Sequence, residues 1–201
     1  MEPVPPKPVT PSPRNRKSQI IAAAENLLQQ RGLSATTTRA IAQSVPCSEG
    51  AIYVHFESRL QLLLAVLEES LPQMLVPLHA LTNKVGANTP QQNLISAMQG
   101  LQKFHRRMAP VVGSLFAEPE LLQSFRNALA LKGKGPHAGV ARIAQYIRQE
   151  QALGRLALNA DPEAIASTLM SVSFFQAFTS ALLGQPTPTL SAKRIVTALL
   201  R

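Results

Sequence analysis

Between Ser18 and Arg31 the apolar residues Ile20, Ile21, Ala24, Leu27 and Leu28 recur at i, i+1, i+4, i+7 and i+8, which is one face of a helix. Gly32 ends that helix. Thr36 is placed to cap a short second helix whose buried side is Ile41, Ala42 and Val45, and Pro46 closes it by disfavouring helical geometry at Val45. Ser48 then caps a third helix in which Ile52 and Phe56 face inward one turn apart, with Cys47 positioned to staple onto Ile52. Two short helices joined by about three residues make a helix-turn-helix. The spacing places it at about residues 37–56.

The same periodicity continues to the C-terminus. Ser58 with Gln61 fits a capping box that opens a long helix with a stripe of Leu60, Leu63, Leu64, Leu67, Leu71, Met74, Leu75 and Leu78, kinked at Pro72. Thr89, Pro90 and Gln92 start a helix to about Ala109, and Pro110 and Pro119 bound a short one. The glycine-rich 131–139 reads as a mobile loop, followed by a helix from about Val140 to Gln151. Asp161 caps a long uncharged helix, and SAKRIVTALL forms the last. No run alternates as a strand does, so the expected class is all-α.

Charge and composition narrow the function classes less than the spacing does. The formal charge of +9 favours an anionic partner. Residues 1–60 nevertheless carry only seven Lys/Arg against four Glu, so the excess is not confined to the helix-turn-helix. The single Cys47 excludes an internal disulfide or a multi-cysteine zinc site and fits a reducing compartment. Residues 164–183 are long and uncharged enough to span a bilayer, but seven of the twenty are Ser, Thr or Gln. A helix buried between helices or subunits suits them better, and no membrane partner is expected.

Residues 48–59, SEGAIYVHFESR, carry the functional signal. Tyr53 and His55 project away from the Ile52/Phe56 face, where a hydroxyl and an imidazole can each donate to a phosphate oxygen. Arg39 on the preceding helix, and Lys17 at the end of the proline-rich arm, can add phosphate contacts. The arm itself, residues 1–13, holds six prolines and should be extended and disordered. Base readout is sparser, because the third helix lacks the Arg, Asn or Gln that contact guanine or adenine in pairs. Candidates are Glu49 accepting from a cytosine amino group, Ala51 and Val54 against thymine methyls, and Thr37 or Thr38 from the helix before. Ser48 caps the helix, and Gly50 leaves room for close backbone approach.

Over residues 18–67 the chain resembles the DNA-binding domain of the TetR family of bacterial transcriptional regulators. The matched positions are IIAAAENLL, Gly32, Thr36, Ile41-Ala42, Ser48, Gly50 and Ile52-Tyr53 followed by His55-Phe56. The resemblance implies a helix-turn-helix domain over 14–74 and gives Arg59, at the family's usual lysine, a role in clamping the DNA backbone. Two departures stand out: Pro46 where the turn usually has glycine, and Glu49 in place of a basic or neutral residue. Proline cannot supply a positive φ, so the turn must be built differently.

The resemblance further implies that residues 75–201 form a helical effector-binding and dimerisation domain. The uncharged helix is apolar around most of its circumference, which fits a self-complementary homodimer interface. Phe104, Met108, Phe116, Tyr146, Phe174 and Phe178 can line an apolar pocket with His105 as its polar anchor. The ligand expected is mostly apolar, aromatic or lipid-like, with or without an acidic group.

Catalysis would need an assembled nucleophile, acid/base pair or metal cluster. His79, His105 and His137 are scattered, and Glu68 and Glu69 point to different sides of their helix. The expectation is therefore a cytoplasmic, nucleoid-associated homodimeric repressor with no cofactor or metal, released from a pseudo-palindromic operator in double-stranded DNA by a small effector. The alternative is a helical protein-interaction module in which Pro46 and Glu49 have cost the chain its DNA binding.

Overall fold

The computed structural model describes residues 13–131, 135–185 and 190–200, with side chains other than those of 13–15, 70–75 and 77. Nine helices account for nearly all of them, with no strand among the described residues. They divide into two compact units, one ending at Val66 and the other beginning at Leu67. The sequence-based boundary at 74/75 lies in the same helix. The proline-rich arm lies outside the described residues except for Pro13, the first residue of α1.

The first unit is built from α1 (Pro13–Ala35), α2 (Thr38–Ser44), α3 (Glu49–Tyr53) and the first turns of α4 (Arg59–Thr82). The α1 face predicted from periodicity is the buried one: Ile20, Ile21, Ala24, Leu27 and Leu28 join Leu33, Ile41, Val45, Ile52 and Phe56 in the core. Gly32 interrupts α1 with φ 75° and ψ 179°, a conformation open to glycine because it lacks a Cβ. The cap of α2 is Thr37, not Thr36: its hydroxyl accepts from the Ala40 N–H at 3.1 Å. Thr36 is fully buried instead, and its hydroxyl donates to the Gly32 carbonyl at 2.8 Å. Adjacent threonines offer identical capping chemistry, and tertiary packing decides which of them turns inward.

The α2–α3 turn answers the question raised by Pro46. Val45 is extended (φ −119°, ψ 134°), as a residue before proline should be. The Cys47 N–H then donates to the Val45 carbonyl at 2.5 Å, closing a three-residue turn centred on Pro46. An inverse γ-turn needs a central φ near −75°, close to the value the proline ring imposes. The reversal therefore uses no left-handed residue, and among the described residues of this unit only Gly32 has positive φ. Arg16 at the start of α1 donates from Nη1 to the Pro46 carbonyl at 3.3 Å and braces the turn.

The second unit contains the rest of α4, α5 (Pro90–Leu115), α6 (Pro119–Leu131), α7 (Pro136–Ala152), α8 (Pro162–Leu183) and α9 (Ala192–Leu199). Its core is a layer of α5 and α7 against α8, joined by α9 and by Leu78 and Leu81 of α4. Gly139 permits the close approach of α7, since a Cβ there would lie 3.1 Å from the Met170 methyl. Caps read from sequence recur here: Thr89 and Gln92 form a capping box, Asp161 accepts from the Glu163 and Ala164 N–H groups, and Ser191 caps α9.

Several boundaries differ from the sequence reading. α5 does not stop near Ala109 but runs through Pro110 to Leu115, so the short helix between Pro110 and Pro119 is its final turn. Burial of Met108, Ala109, Val111 and Leu115 on one side outweighs the hydrogen bond that proline removes. α6 was not anticipated, and α7 begins at Pro136, within the segment read as loop; residues 132–134 lie outside the described set. α4 continues through Pro72. Its stripe is rotated: Leu62, Leu63, Val66 and Leu67 are buried, while Leu60 and Leu64 are only half-buried. A run of three leucines at 62–64 hides the phase of the helix. The expected positions Leu71, Met74 and Leu75 lie outside the described side chains.

Candidate nucleic-acid interface and apolar cavity

On the first unit, α3 buries Ile52 and leaves Ser48, Glu49, Gly50, Tyr53 and Val54 exposed, with Ala51 and His55 half-buried at the sides. Tyr53 and Val54 are 52% and 80% exposed, large values for residues of their size. Ser48 holds the first turn of α3 by accepting from the Ala51 N–H at 3.3 Å. A Cβ on Gly50 would meet only Ser48 Oγ, at an ordinary 3.7 Å. The protein's own packing therefore does not demand glycine at this position.

The other candidates surround this helix with partners already defined. Thr37 is committed to capping α2. Thr38 donates to Glu49 Oε2 at 3.0 Å, so two candidate base readers are paired across the turn. Arg39 is exposed on α2. Lys17 places its ammonium 5.5 Å from the centre of the buried Phe56 ring, a cation–π contact that holds it beside α3. Arg59 turns inward: Nε donates to the Thr36 carbonyl at 3.0 Å and Nη2 to the Leu33 carbonyl at 2.6 Å. A guanidinium has five donors, so three remain. Its first task is closing the end of α1 onto α4. Arg16 reaches thirty residues ahead to Pro46, a contact that nothing local in the sequence shows.

The second unit contains an apolar cavity of about 180 Å³ lined from α5, α6, α7 and α8. Phe104, His105, Met108 and Phe174 are among its walls, and Phe178 stacks on Phe174 at 6.2 Å between ring centres. The cavity wall does not include Phe116, Tyr146 or Phe178. Phe116 is the C-cap of α5 and 70% exposed. Tyr146 is fully enclosed, with its hydroxyl accepting from Asn93 Nδ2 at 2.9 Å. Burial, above all, raises its hydroxyl pKa well beyond the ordinary phenol range. It belongs to a structural network in which Glu150 accepts from the Gly86 N–H and pairs with Arg155 at 3.1 Å. Phe125 and Leu129 of α6 complete the wall, and they were missed because their helix was missed.

His105 is 7% exposed, its Nδ1 lies 2.8 Å from Ser173 Oγ, and it sits edge-on to Phe104 and Phe174. Burial lowers its pKa to about 4, so the ring is neutral near pH 7. A larger groove of about 480 Å³ has Ser173 in its wall, with Gln102, Arg106, Gln176 and Ser180. It is the more polar of the two, whereas the smaller cavity has apolar walls and a single polar side chain, His105, the pattern of a small-molecule site.

The first unit is thus a helix-turn-helix with an exposed third helix, and the second is a helical unit with an apolar-walled cavity. Residues 20–66 match the model of "Bacterial regulatory proteins, tetR family". A 65-residue stretch is 40% identical to the HTH-type transcriptional repressor KstR2 of Mycolicibacterium smegmatis. That alignment spans 32% of each protein, about a third of the repressor's length.

The fold likeness extends over nearly the whole chain. A TetR transcription regulator from Haloarcula marismortui superposes with a TM-score of 0.73 at 14% identity, covering 93% of this chain and 97% of its own. The fatty acid degradation regulator FadR of Bacillus halodurans gives 0.69 at 16% identity, covering 92% and 94%. At such identities the likeness establishes the fold alone.

Proposed function

We propose that this protein is a homodimeric transcriptional repressor that binds a pseudo-palindromic operator through α3 and is released by a small, mostly apolar effector in the second unit. The observation that carries the reading is the outer face of α3, where Tyr53 and Val54 stand exposed over a core made by Ile52 and Phe56. Helix-turn-helix proteins present such a helix to the major groove, with flanking polar groups on the phosphates. Tyr53, His55, Arg39 and Lys17 position the helix. Glu49, Ala51, Val54 and Thr38 meet the base edges.

Dimerisation is supported by α8, which exposes Phe174, Phe175, Phe178 and Leu182 along one side. The helix is long and apolar enough to cross a membrane, yet Ser173 and the half-buried Gln176 also sit on it. A second copy of the same face covers such a surface in a two-fold dimer and brings two α3 helices to successive major grooves. An effector that binds better to a state with a different α3 spacing then lowers operator affinity by linkage. KstR2, the relative that matches over 65 residues, is a transcriptional repressor, which supports the repressor sign. A repressor of this kind works in the cytoplasm, on the nucleoid.

The test is selection from a pool of random duplex DNA by the purified protein at moderate salt. Recovery of an inverted repeat supports the reading. Recovery of no enriched sequence favours instead the helical interaction module, in which Glu49 and the Pro46 turn have disabled the reader.

A further inference from the structure

The chemistry of the cavity narrows the ligand further, on the reading of that cavity as the effector site. At about 180 Å³ it is close to cavities of roughly 150 Å³ that take up benzene, and below the roughly 300–1,000 Å³ of pockets for drug-sized molecules. Phe104, Met108, Val112, Phe125, Met170 and Phe174 give it apolar walls, and none of its described lining residues carries a charge near pH 7. An ionised ligand entering it would leave its hydration with no cation among the described lining residues to replace it.

The polar tip is already half committed. Nδ1 of His105 is held by Ser173, while Nε2 meets no hydrogen-bond partner among the described residues. Two neutral tautomers fit this arrangement: Nδ1–H donating to Ser173 with Nε2 as acceptor, or the Ser173 hydroxyl donating to Nδ1 with Nε2–H as donor. A ligand carboxylate satisfies only the second and brings an unmatched charge. A hydroxyl both donates and accepts, so it satisfies either.

We propose that this cavity takes a small uncharged alcohol or phenol, about the size of a one-ring aromatic, whose hydroxyl hydrogen-bonds to His105 Nε2. An acidic group on the ligand, allowed by the sequence reading, is disfavoured.

Methionines 108 and 170 line the cavity and supply a local readout. The protein labelled with ¹³C at the methionine methyls is titrated with benzyl alcohol, benzoate and toluene at pH 7.4, following those two resonances. Benzyl alcohol is expected to shift both saturably at concentrations at least about tenfold lower than benzoate. In His105→Phe the advantage of benzyl alcohol over toluene should vanish while toluene still binds. Should that variant misfold, the wild-type comparison of alcohol with benzoate stands alone.

Benzoate binding as tightly as benzyl alcohol would overturn the uncharged-ligand assignment and leave the cavity an effector site. No shift with any of the three would remove the cavity as a ligand site altogether. Neither result touches the operator selection, which is read without any ligand.

Discussion

Thr38 and Glu49, eleven residues apart on successive helices, are joined by a 3.0 Å hydrogen bond from the threonine hydroxyl to the carboxylate. The pair fixes the only acidic side chain of α3 beside its N-terminus, where negative charge is favourable in the free protein. Near phosphate the same charge repels. Glu49→Gln keeps an acceptor for Thr38 and removes the charge, and it should tighten binding to random duplex about threefold to tenfold at low salt. If Glu49 reads cytosine in the operator, the variant should also shift that position toward adenine, which an amide contacts in pairs. Fluorescence anisotropy and repeated selection check the two outcomes. Unchanged affinity and unchanged preference would place Glu49 away from the DNA.

Arg59 behaves in the free protein as a brace, donating to the Leu33 and Thr36 carbonyls. Arg59→Ala should destabilise the first unit by about 2 kcal/mol, the range for hydrogen bonds to charged groups. Arg59→Lys should restore little of this, because an ammonium lacks the planar fork that reaches both carbonyls. Urea denaturation of the two variants decides it. A lysine variant as stable as wild type would contradict the brace.

Local chemistry explains why the first unit was so legible in the sequence and the second less so. The buried face of α1, the Pro46 stop and the Ser48 cap depend on residues within one or two turns of each other and stand where the spacing placed them, although α1 itself runs from Pro13 to Ala35 rather than from Ser18 to Arg31. What escaped depends on distant partners. Arg16 meets Pro46 and Arg59 meets Leu33 only once the helices have packed, and Thr36 rather than Thr37 is drawn into the core. In the second unit, Pro110 was read as a break where α5 continues, and with that boundary misplaced α6 and its Phe125 were lost from the cavity wall. Phe116 was included by its aromatic character, but its position at the end of α5 turns it to solvent.

His105 should give the second unit an acid sensitivity of known sign. Its pKa is about 4 in the folded protein against an ordinary 6.5, so between these values the unfolded chain binds more protons. The resulting contribution to stability is present above pH 6.5 and is lost as pH falls toward 4. By pH 5 the loss should be about 2 kcal/mol relative to pH 7.5. His105→Gln, which cannot titrate, should lose less stability than wild type over that interval by about this amount in urea titrations. Equal losses in both proteins would show that His105 is not held neutral.

The outer face of α8 predicts association. Phe175 is 65% exposed and Leu182 69%, one on each side of the Phe178 turn. Replacing both by glutamate should convert a dimer into a monomer in sedimentation measurements, with little change in helix content, because neither side chain serves its own protomer's core. A monomeric wild type, or a dimer that survives both charges, would assign the face another use.

The central claim is that α3 meets the DNA, and affinity on the selected duplex tests it most directly. Binding of wild type and Tyr53→Ala/His55→Ala is measured at several salt concentrations, with Arg39→Ala as a charge control. The double variant should bind at least about tenfold more weakly at every salt concentration, as expected for losing two phosphate contacts of about 1 kcal/mol each. Arg39→Ala should lower the slope of log affinity against log salt by about one. Unchanged affinity in the double variant, with its fold intact, would contradict the account and move the DNA-binding surface away from α3.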